Sequence, residues 1–148
     1  MEMVRSKNRV GYATGVFDLF HIGHLNLLRK AKEQCEILIV GVTSDELVSY
    51  KNKSAVIPFE ERIEIVANIK FVDKVVCQSD MDKMSMWNRL KFDVMFVGDD
   101  WKGTDKWNNI EAIFAKVNVD IVYFPYTKGT SSTLINNTLN ELRLSNAK

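Results

Sequence analysis

Cysteine is scarce: the 148 residues include two, Cys35 and Cys77, far apart and without a CxxC or histidine-rich partner. No zinc site or disulfide framework can be built from them, and they read as ordinary thiols of a reducing cytosol. No Pro/Gly/Ser-rich linker, low-complexity tract or repeat divides the chain, so residues 1–148 are expected to form a single domain. The longest apolar stretch, around Ile37–Val42, is too short to cross a bilayer. The opening residues Met1–Arg9 are polar and lack the apolar core of a secretory signal, so a cytoplasmic location without membrane insertion is expected. No charge of either sign dominates: 20 Lys+Arg less 19 Asp+Glu leaves +1. That excludes a general basic field for nucleic acid or anionic membranes. A hydrophobic share of 46% supports one packed core.

The pattern alternates between strands and helices. Short strands are expected near Val10–Ala13, Lys74–Cys77, Val94–Val97 and Ile121–Phe124. Ile37–Val42 is a continuous β-branched run, the mark of a strand covered on both faces. Leu25, Leu27, Leu28 and Ala31 recur at helical spacing, Pro58 opens a helix over roughly Phe59–Ile69, and an amphipathic stretch lies near Met84–Leu90. Further helices are expected near Asn109–Lys116 and over Thr130–Leu144, the last with Leu134, Ile135, Thr138, Leu139 and Leu142 on one stripe. Five strands with helical crossovers imply an α/β fold, a doubly wound parallel sheet with helices on both faces. Ligands of such sheets bind beyond the carboxyl ends of the strands. The loops after the first, second, fourth and fifth strands are therefore the ones to watch.

The chain has two histidines, and they stand three apart in His21-Ile22-Gly23-His24. They follow the first strand and open a helix, whose N-terminus favours a phosphate. Two imidazoles there can donate hydrogen bonds to phosphoryl oxygens as charge builds on them. No third histidine or cysteine cluster supports a metal site.

Gly15-Val16-Phe17-Asp18-Leu19-Phe20-His21-Ile22-Gly23-His24 resembles the signature of the cytidylyltransferase family, within the HxGH nucleotidyltransferase superfamily. The likeness continues through Ser44-Asp45-Glu46-Leu47, Glu61-Arg62 and Phe71–Val75. Gly98–Gly103 resembles the family's glycerol-phosphate branch, and Thr127–Thr133 its C-terminal signature loop. A Rossmann-like domain is implied, transferring CMP from CTP to a small phosphate-ester acceptor, above all glycerol phosphate, and releasing pyrophosphate. Mg2+ would travel with CTP.

The resemblance assigns roles residue by residue. His21, His24 and Lys51 would be catalytic. Gly15, Val16, Phe17, Gly23, Asp100, Thr127, Gly129, Thr130, Ser131, Ser132 and Thr133 would join the histidines in holding the nucleotide. Lys51, Lys53, Lys83 and Trp101 would bind the acceptor. Asp18 would orient its loop, and Arg62 is as easily structural as functional. A homodimer and a place in teichoic-acid or capsular polymer synthesis are also implied.

This chain departs from the family pattern at several positions. Tyr126 stands where an arginine is usual, Lys128 where an acidic residue is, and Val16 where the glycerol branch commonly has threonine. Lys70 replaces an arginine, and a tryptophan expected near Ser79–Met81 is absent. Phosphocholine or phosphoethanolamine as acceptor therefore stays open. So do an adenylyltransferase acting on a sugar phosphate or flavin precursor, and a catalytically dead nucleotide-binding module. The HIGH spelling, with Lys83-Met84-Ser85, also occurs in aminoacyl-tRNA synthetases, but such an enzyme needs a far longer chain.

Overall fold

The computed structural model describes residues 9–50, 54–80, 82–99, 102–125 and 131–146. Strands and helices alternate: β1 (Val10–Gly15), α1 (Ile22–Glu33), β2 (Ile37–Thr43), α2 (Asp45–Tyr50), α3 (Phe59–Ala67), β3 (Lys74–Gln78), α4 (Lys83–Leu90), β4 (Val94–Gly98), α5 (Asp105–Ala115), β5 (Asp120–Phe124) and α6 (Ser132–Asn146). The five strands form one parallel sheet in the order β3-β2-β1-β4-β5. The chain steps outward from β1 to β3, then returns to the other side of β1 and steps outward again. The switch point thus lies between β1 and β4.

Strand periodicity sorts the apolar residues into two layers. Ala13, Leu38, Val40, Val42 and Phe96 face α1 and α3, where they meet Leu28, Ala31 and Val66. Tyr12, Ile39 and Met95 face the opposite way, against Met86 of α4 and Trp107 and Phe114 of α5. β2 is apolar without alternation because both of its faces are covered, as its sequence predicts.

Two boundaries differ from expectation for local reasons. β1 continues past Ala13 because Thr14 and Gly15 still pair with Gly41 and Val42. α5 begins a turn before Asn109 because the Thr104 hydroxyl accepts a hydrogen bond from the Trp107 N–H and caps the helix. The leucine stripe of α6 is largely uncovered: Leu134, Leu139 and Leu142 are exposed and Ile135 is half-buried.

One close approach matters for the site. Tyr12 is fully buried, stacks on Phe92 with 5.0 Å between ring centroids, and donates its hydroxyl proton to Gln78 Oε1. A side chain at Gly41 would overlap that hydroxyl, so β2 must be bare at this point. Burial pushes the Tyr12 pKa up to about 12, so its hydroxyl stays a donor at neutral pH.

Candidate active site

His21 is the N-cap of α1, and the two histidines cap the helix reciprocally. The Gly23 N–H donates to His21 Nδ1 at 3.0 Å, and the His21 N–H donates to His24 Nδ1 at 3.3 Å. This is the logic of a capping box, with imidazoles in place of a hydroxyl and a carboxylate. A nitrogen that accepts carries no proton, so each neutral ring keeps its proton on Nε2. The rings stack with centroids 4.0 Å apart, and Phe17 and Phe20 hold His24 from the side. Burial lowers the pKa of His21. Burial, then the neighbouring His21, lowers that of His24 to about 4. At neutral pH the helix end therefore carries two uncharged imidazoles, each with one fixed N–H donor.

The loop ahead of the histidines is held in a strained form. Phe17 and Leu19 have φ of 54° and 52°, a left-handed region that side chains disfavour. Asp18 between them fastens the loop in two directions. Its carboxylate accepts from the N–H groups of Val56 and Ile57 at 2.8 and 2.9 Å, and its carbonyl accepts from Ser132 Oγ at 2.5 Å. One residue thus joins the β1 loop, the approach to α3 and the start of α6. Asp18 orients, as the sequence suggests.

Arg62 settles on the structural side. It is 1% exposed and reaches four segments. Its guanidinium donates to the carbonyls of Ile57, Val16 and Thr43, each at 2.8 Å, and to Asp45 Oδ1 at 2.5 Å. The ends of β1 and β2 and the starts of α2 and α3 are gathered on one planar fork. Hydrogen bonds from the Phe59 N–H and from Arg62 hold the Asp45 carboxyl below its usual range.

These ties frame a cleft of about 770 Å³ over the switch point, a size suited to a small-molecule ligand. Of the residues anticipated from sequence, Gly15, Val16, His21, Gly23, His24, Lys83, Ser131, Ser132 and Thr133 all border it. Phe17 does not; it is buried beneath, with its ring against His24. Lys51, Lys53, Asp100, Trp101, Thr127, Gly129 and Thr130, with Tyr126 and Lys128, lie outside the described residues. Sequence reasoning missed Gln78, Asp80, Lys30 and Lys106, which also line the cleft. For Asp80 the signal available was the polar run directly after β3, at a carboxyl end like the others; Gln78 ends β3, and Lys30 and Lys106 belong to α1 and α5. Trp107 is buried in the α5 layer and also floors the cleft. Trp87 packs in the same layer, and its indole N–H donates to the Phe92 carbonyl.

Two imidazoles capping a helix that opens at the switch point of a parallel sheet define an α/β domain whose ligand site lies beyond the carboxyl ends of its strands. Residues 12–139 match the family model described as cytidylyltransferase-like. The chain belongs to that family and is a nucleotidyltransferase. It is 36% identical over 122 residues to the glycerol-3-phosphate cytidylyltransferase of Bacillus spizizenii, a match covering 82% of this chain and 89% of that one. It is also 36% identical over 110 residues to the FAD synthase of Archaeoglobus fulgidus, covering 74% of this chain and 80% of that one. Among solved structures, a lipopolysaccharide core biosynthesis protein from Thermoplasma volcanium shares the fold, with a TM-score of 0.69 at 24% identity over 82% of this chain and 98% of that one. No helix among the described residues is long and apolar enough to cross a membrane.

Proposed function

We propose that this protein transfers CMP from CTP to glycerol phosphate, giving CDP-glycerol and pyrophosphate. The observation that carries the reading is the histidine pair bordering the cleft, whose Nδ1 atoms are taken up by the helix cap, which leaves each neutral ring its Nε2–H as donor. In-line attack by the acceptor's phosphate oxygen on the α-phosphorus needs little proton chemistry, because a phosphate monoester is already anionic near pH 7. What it needs is alignment and neutralisation of developing charge. His21 and His24 would donate to the α-phosphate and the departing pyrophosphate. Ser131, Ser132 and Thr133 would hold the β- and γ-phosphates at the start of α6. Lys51, Lys53 and Lys83 would draw in the acceptor's phosphate.

Mg2+ would share the charge of the triphosphate. Among the described residues no three His, Cys, Asp or Glu side chains stand together as a metal cage. The likeness to the Bacillus enzyme supports glycerol phosphate. The FAD synthase relative supports a second reading, adenylyl transfer from ATP to a flavin precursor.

The test is pyrophosphate release with magnesium, offering CTP or ATP against glycerol 3-phosphate, glycerol 2-phosphate, phosphocholine, phosphoethanolamine, a sugar phosphate and a flavin precursor. Release with CTP and a glycerol phosphate is expected. Release with ATP alone would move the protein to the second reading.

A further inference from the structure

We infer that Asp80 reads the hydroxyl groups of the acceptor, and so selects a polyol phosphate. The inference deepens the cytidylyl-transfer reading and rests on it. Among the described residues lining the cleft, three are lysines, Lys30, Lys83 and Lys106, and one is acidic, Asp80. Both substrates are polyanions, so the lysines need no special account. A carboxylate in the same cleft repels them and is tolerated where it meets a hydrogen-bond donor of the ligand.

Asp80 is built to present such an acceptor. Its Oδ1 accepts from the Asp82 N–H at 2.8 Å and its Oδ2 from Ser85 Oγ at 3.3 Å, so the first turn of α4 fixes the carboxylate plane. Each oxygen keeps a further lone pair. From below, Gln78 Nε2 donates to the Asp80 carbonyl, and Gln78 is itself 2% exposed and tied to Tyr12. Lys83, three residues on, borders the same wall. That wall offers a cation for a phosphate and, beside it, a fixed acceptor for donors on the same small molecule.

The order of the sheet says which donors. Asp80 follows β3, at one edge, whereas the aromatic residues known to line the cleft, Phe96, Trp107 and Phe124, belong to β4, α5 and β5. β3 and β4 are three strand spacings apart, roughly 14 Å. Among the described residues no aromatic ring of β3 or α4 borders the cleft beside Asp80, whereas choline recognition requires rings around the ammonium. Hydroxyl groups need no ring.

The test compares glycerol phosphate with n-propyl phosphate, which lacks hydroxyls, as acceptors with CTP and magnesium. The wild type should favour glycerol phosphate in kcat/KM by at least ~10-fold, the scale of a charge-assisted hydrogen bond. Asp80→Ala should collapse that preference through the acceptor KM, with a much smaller change in the KM for CTP. Asp80→Asn keeps an oxygen for the Asp82 N–H, guards against loss of α4, and should retain part of the preference. An undiminished preference in both variants overturns the inference, as does a wild type that favours phosphoethanolamine or phosphocholine through Asp80. A wild type inactive with every alcohol phosphate would instead overturn the cytidylyl-transfer reading.

Discussion

Arg62 and Arg9 are both buried, at opposite ends of one sheet, and they do different work. Arg9 stands just ahead of β1 and reaches Asp120 of β5 at 3.3 Å, a carboxylate that is itself 69% exposed. The amino ends around it are closed by main chain: the Arg9 carbonyl accepts from Glu36 and Ile37. Two aspartates help, Asp93 taking the Val10 N–H and Asp73 the Leu38 N–H. At the carboxyl ends the strands part into loops, and the carbonyls of Val16, Thr43 and Ile57 converge on one point. Only a long side chain with several donors in one plane can collect them, and Arg62 is that side chain. The end of the sheet that closes on itself can be stapled locally. The end that must open for a ligand has to be organised from within.

Replacing Arg62 gives the largest expected effect. Arg62→Ala strands three carbonyls and Asp45, and should cost about 3–5 kcal/mol of stability. Arg62→Lys keeps the charge without the fork and should recover less than half, by urea titration. Equal stability of the two variants would show that charge, not geometry, gathers the loops.

The histidines come next. His21→Ala or His24→Ala should lower turnover by at least ~100-fold, the loss of one transition-state donor. His21→Asn should keep the α1 cap and the melting temperature while still losing activity. Full activity of that variant would reduce the histidine to a cap.

A pH series sharpens the comparison further, because the histidines lie at the open end only. Their folded pKa values lie below the unfolded value of 6.5. The unfolded chain therefore binds protons first as pH falls, and the histidine contribution is complete above about pH 6.5. It is lost progressively toward about pH 4, where His24 itself titrates in the folded protein. Asp45 and Asp73, held below their usual range, continue the loss in stronger acid. Urea midpoints should be flat from pH 7 to 8 and fall between 6 and 4.5, and His24→Gln should flatten that fall. Activity should not decline from pH 7 to 8, since neutral donors suffice.

The smallest effect belongs to the closed end. Asp120→Ala removes an exposed partner and should cost no more than about 1 kcal/mol, with turnover unchanged.

The sequence announced the elements whose chemistry is periodic or dense. β2 is legible because a strand covered twice is apolar throughout. The histidine pair is legible because two imidazoles around a glycine at a strand-to-helix junction have few other uses. Asp80 and Gln78 were not, since one polar residue after a strand looks like any solvated loop until the sheet order shows what it faces. Arg62 carried no signal of its role, because its partners are backbone carbonyls scattered from Val16 to Ile57. The α6 stripe was legible as a helix, but periodicity alone does not say whether an apolar face is covered.

Gly41 carries a consequence for reading mutational screens. A methyl group there displaces Tyr12, Tyr12 releases Gln78, and Gln78 no longer steadies Asp80. Retreat of the tyrosine to phenylalanine gives little relief, because the ring carbon beneath the hydroxyl would still lie 2.8 Å from the added methyl. Gly41 is therefore required as long as an aromatic ring stands at position 12. A substitution within β2, at a residue that does not itself line the cleft, would surface in a screen as a change of acceptor preference.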